Sequence, residues 1–89
     1  MARLDFHAQG LEEGATQGGT ADALLQLGLS YSVGRDVDVD LIQAHKWFNL
    51  AAQRGNEEAK LLRLEIARDM SKDEVARAQR LAREWIATH

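Results

Sequence analysis

The sequence contains no cysteine, so it can form neither a disulfide nor a thiolate metal site, and a reducing compartment fits it. Proline is also missing, which removes the strongest helix breaker from the whole chain. No run approaches the roughly 18 to 20 consecutive apolar residues of a membrane span. The start, Met-Ala-Arg-Leu-Asp-Phe-His, has no apolar stretch followed by a small-residue cleavage site. A cytoplasmic protein without a membrane partner is the expectation. Aromatic residues make up only 6%, and Trp47, Phe48 and Trp85 are core candidates before they are recognition residues.

Hydrophobic residues at 45% and charged ones at 28% give the composition of a soluble globular protein rather than a disordered tail. Eighty-nine residues suit a single domain, 1–89, with one core. The net charge of -3 is unevenly spread. Residues 1–45 hold two arginines against seven acids, a net -5, and residues 46–89 hold nine basic residues against seven acids, a net +2. Ends of opposite sign favour head-to-tail association, weakened by screening over a Debye length of ~8 Å.

Apolar spacing predicts about five helices and no strands. Leu4, Ala8, Leu11 and Ala15 form one stripe over 2–16. Thr20 caps a helix over 21–33, in which Asp22, Gln26 and Ser30 mark the wet side and Gly28 permits a close helix approach. Gly34 supplies a left-handed end. Asp40, with Gln43 three residues on, predicts a capping box for the next helix, whose face is Ala44, Trp47, Phe48, Ala51 and Ala52 and which stops at Gly55. Asn56 opens a fourth helix with a face of Ala59, Leu62, Ile66 and Met70. Ser71 and Glu74 form a second capping box, with Met70 and Val75 as a hydrophobic staple, before a last helix with Val75, Ala78, Ala82, Trp85 and Ile86 on one face.

Adding 36 to Ala15, Gln17, Gly19 and Ala23 gives Ala51, Gln53, Gly55 and Ala59, a self-similarity typical of helical solenoids. The segments ADALLQLGLSYSVG and DLIQAHKWFNLAAQRGNEEA resemble the Sel-one-like repeats, short relatives of the tetratricopeptide repeats. The resemblance covers 21–59 closely. It implies an all-α, α/α superhelix of antiparallel helices, with one full repeat over about 20–55, a degenerate half-repeat before it and a capping hairpin over about 56–88. It also implies a scaffold for protein assembly, a use common in bacteria. Leu11 and Glu12 stand where the family has an aromatic pair, and Arg63 and Leu64 replace its Leu-Gly, so a single full repeat offers little groove.

Chemistry-bearing patterns are sparse. Asp36, Asp38 and Asp40 are spaced like the opening of a calcium loop, but Leu41 stands where the loop needs glycine and Trp47 where it needs a bidentate glutamate. His7, His45 and His89 share no metal-ligand spacing, and His45 beside Lys46 is expected on a wet face. Ser30 and Ser32 lie in no nucleophile elbow. The adjacent pairs Glu12–Glu13 and Glu57–Glu58 splay about 100° apart on a helix. No catalytic residue, cofactor or metal is expected, and the chain is read as non-enzymatic.

A protein-interaction module or small scaffold is therefore the leading expectation, its partner unidentified. Leu25, Leu29 and Val33 recur at i, i+4 and i+8 and are candidate partner-binding residues. Leu61, Leu64 and Phe6 are further candidates, because they point away from the faces expected to form the core, and a homodimer would cover them. The alternative is a nucleic-acid binder using Arg77, Arg80 and Arg83 of the last helix. Asp73, Glu84 and a pI of about 5.5 oppose it.

Overall fold

The computed structural model describes residues 20–89. The predicted helix over 2–16, with Phe6 and with Ala15, Gln17 and Gly19 of the 36-residue correspondence, lies outside the described residues. Within them the chain is all-helical: α1 (Ala21–Val33), α2 (Leu41–Gln53), α3 (Glu57–Ala67) and α4 (Lys72–Thr88), with no strand. None of these helices is long and apolar enough to cross a membrane.

Local chemistry sets each boundary. Thr20 caps α1, its hydroxyl accepting from Ala23 N at 3.1 Å. At the other end Gly34 adopts φ 78°, and the Gly34 and Arg35 amides both donate to Ser30 O. Asp40 caps α2 by accepting from Gln43 N at 3.1 Å. The predicted reciprocal half of that capping box is replaced by a longer-range bond, because Asp40 N donates to Tyr31 O at 3.0 Å and ties the 34–40 loop back onto α1. Gly55, at φ 102°, ends α2 in a Schellman motif, with Asn56 N donating to Ala51 O and Gly55 N to Ala52 O. Asn56 then caps α3 through Ala59 N at 2.8 Å and also donates to Asp22 at the start of α1.

Met70 was expected on the face of α3, but the helix ends at Ala67 and Met70 sits in the turn behind it, where successive amides bond three residues back. The predicted capping box of α4 is present in full: Glu74 N donates to Ser71 Oγ at 3.1 Å and Ser71 N to Glu74 Oε1 at 2.8 Å.

The closest helix packing all involves α2, which lies against α1, α3 and α4. Leu24, Leu25 and Leu27 of α1, Ala44, Trp47, Phe48, Leu50 and Ala51 of α2, Ala59 of α3, and Ala82 and Trp85 of α4 form one buried cluster. Trp47 and Trp85 meet edge to face, centroids 5.7 Å apart and planes at 79°. Gly28 faces the Phe48 ring. A Cβ there would stand 2.5 Å from Phe48 Cε1 and 3.1 Å from Cγ. Ala78 of α4 is fully buried, whereas Ile86, expected on the same face, is exposed in the last turn.

Ser30 was expected with Asp22 and Gln26 on the wet side of α1, yet it is buried. Steps of four residues rotate by about 40° each around a helix, so two steps carry Ser30 about 80° from Asp22, to the edge of the buried arc.

Two consequences follow for stability. Gly28→Ala gains ~1 kcal/mol of helix propensity but sets a methyl group against a buried ring, an overpacking cost of ~1 to 3 kcal/mol. Urea unfolding should show a net loss for alanine and a larger one for valine; an alanine variant as stable as the parent would mean that Phe48 has room to move. Trp47→Ala should remove ~3 to 5 kcal/mol, and a loss below ~1 kcal/mol would contradict its burial.

Candidate functional site

The outer surface of α3 and the groove beside it combine exposed apolar side chains with a concavity. The helix carries two apolar sets. Ala59, Leu62 and Ile66 turn toward the core, while Leu61 and Leu64, three residues apart and so on one side, are 67% and 58% exposed. Glu65 and Arg68, one turn beyond each leucine, border the same shallow depression of about 340 Å³.

Leu64 also lines a groove of about 330 Å³ between α2, α3 and α4, at the lower end of the ~300 to 1,000 Å³ range of ligand cavities. Each helix contributes a pair four residues apart: His45 and Asn49 from α2, Arg63 and Ala67 from α3, Val75 and Gln79 from α4. Arg63 Nη1 donates to Asn49 Oδ1 at 2.6 Å, joining α2 to α3. Among the described residues no acidic side chain lines this groove.

His45 was expected on a wet face but is only 3% exposed, and its Nδ1 is enclosed without a hydrogen-bond partner among the described residues. The reason is the breadth of the packed surface of α2, which has neighbours on three sides. His45 lies about 60° around the helix from Phe48, well inside that arc. Its distance from Phe48, rather than the charge of the adjacent Lys46, was the signal in the sequence. Burial, and then the positive charge of Arg63, hold its pKa below the ordinary 6.5.

The remaining candidates are dispersed. Leu25 belongs to the core, Leu29 is half-buried against it, and Val33 is 66% exposed. The same 40° drift separates them, carrying Val33 round to a position between Asp22 and Gln26. Phe6 lies outside the described residues. Arg77, Arg80 and Arg83 are exposed on α4. His89 stacks on Trp85 with centroids 4.6 Å apart. Among the described residues no cluster of three or more His, Cys, Asp or Glu side chains could hold a metal ion, and Asp36, Asp38 and Asp40 form none.

Because folded His45 takes up its proton less readily than an unfolded histidine, its contribution is complete above pH 6.5 and is lost as the pH falls below that value toward the lowered pKa. The slope is at most ~1.4 kcal/mol per pH unit for one proton. Urea midpoints compared between pH 7.5 and 5.5 should fall for the parent and fall less for His45→Phe. Equal slopes would show that His45 is not the titrating group.

Compared with models of protein families, with curated proteins and with solved structures, the chain finds no match, so the reading of this surface rests on its own chemistry.

Proposed function

We propose that the chain is a non-enzymatic protein-interaction module of the Sel-one-like, tetratricopeptide-like kind, and that the outer surface of α3 with its adjoining groove is where a partner protein docks. One observation carries the reading: Leu61 and Leu64 stand exposed side by side, and Leu64 continues into a groove with both apolar and polar walls. Single exposed leucines are ordinary; a contiguous pair bordering a concavity and rimmed by Glu65 and Arg68 has the composition of a small interface, an apolar centre with a polar edge.

The superhelical part of the proposal is supported by the close packing of α1 against α2 and of α2 against α3, and by the glycine-to-aromatic contact between α1 and α2. In such a stack the outer side of a helix is covered by the next repeat or by a partner. The arginines of α4 form a second charged surface, but Asp73, Glu74 and Glu84 are exposed on the same helix, and a protein partner remains the better match.

A photo-crosslinking residue at position 64, introduced in the producing cell, should join the chain to a discrete protein, and Leu61→Glu should reduce that product by at least ~10-fold while circular dichroism stays unchanged. Equal crosslinking from position 83, or an interaction that weakens steeply with salt and carries nucleic acid, would sink the proposal.

A further inference from the structure

Arg63 is half-buried, and the group it hydrogen-bonds is the neutral amide of Asn49. Among the described residues no carboxylate pairs with it; the ion pair formed on the same helix joins Lys60 to Glu57. A neutral acceptor does not offset a guanidinium that has lost part of its water. Beside it, the enclosed Nδ1 of His45 has no hydrogen-bond partner among the described residues. The groove therefore offers cationic and polar donors, from Arg63 and Gln79, against an apolar wall of Leu64, Ala67 and Val75. Its complement is a carboxylate flanked by small apolar side chains.

The chain carries that group itself. Between α1 and α2 the loop exposes Asp38, with Val37 half-buried on one side and Val39 59% exposed on the other, and Val33 stands exposed at the end of α1. Asp40 is engaged as a helix cap, but neither Asp36 nor Asp38 pairs with a base among the described residues. The loop is the most acidic stretch of the net-negative half, and the groove lies mainly in the net-positive half.

Topology carries the groove toward the loop: Asn49 and Arg63 lie nearer the 54–56 turn, and His45 and Ala67 lie nearer the start of α2. The turn at 54–56 reverses the chain, and the Asn49–Arg63 bond pairs a residue five positions before it with one seven positions after it. The first half of α2 thus lies beside the second half of α3, next to the loop that leads into α2. A groove and a loop on one chain can engage reciprocally about a two-fold axis. Resting on the reading of the α3 surface as an interface, we propose that two copies pair in this way. Each seats its Asp38 against Arg63 of the other copy and lays Val33 and Val39 along the other's Leu61 and Leu64.

Sedimentation velocity from micromolar to hundreds of micromolar protein tests this directly. The expected result is a concentration-dependent dimer. Asp38→Lys and Arg63→Glu should each weaken it by ~10-fold or more, and Asp38→Lys combined with Arg63→Glu should restore it by reversing both signs. Asp38 is exposed, so its replacement decides the matter even if Arg63→Glu fails to fold. A monomer at every concentration, or a dimer indifferent to Asp38→Lys, would overturn the pairing. A strict monomer that still crosslinks a foreign protein through position 64 would overturn the pairing alone, whereas loss of both would remove the interface reading as well.

Discussion

Phe48 occupies the space that Gly28 leaves vacant, and the arrangement of the helices depends on that contact. With no Cβ on α1 at this point, a buried aromatic ring can lie directly against its backbone side. The adjoining turn then brings Trp47 toward Trp85 of α4. A glycine inside a helix lowers its intrinsic propensity, and here the loss is offset by close packing. The two aromatic residues, adjacent in sequence and about 100° apart on the helix, direct α2 toward α1 on one side and α4 on another.

A helix packed on three sides has little surface left for polar residues. His45 lies inside the buried arc of α2 and Asn49 at its edge, where they form the floor of a groove rather than a solvated face. Desolvation disfavours the protonated imidazole, and Arg63 is the permanent charge that defines the groove. The same packing uses one side of α3 and leaves Leu61 and Leu64 on the other. The candidate binding surface is thus a product of how α2 is enclosed, and it borders the core instead of standing apart from it.

The sequence by itself determined the local structure well. Thr20, Asp40, Asn56 and Ser71 each accept the backbone N–H three residues later, and Gly34 and Gly55 take positive φ, because capping and left-handed turns are settled by residues within a few positions of one another. Leu61 and Leu64 could also be placed outside the core from their angle to Ala59, Leu62 and Ile66. Tertiary structure decided the rest. Asp40 exchanged half of its capping box for Tyr31 O because the loop folds back on α1. Ser30 changed sides, and Val33 parted from Leu25, because a stripe in steps of four drifts around the helix, and only the neighbours fix where burial ends. His45 and Arg63 became one groove because the turn at Gly55 sets residues far apart in sequence beside each other. No local spacing encodes which arc of α2 three neighbours will cover, and that arc decides which polar groups lose their water.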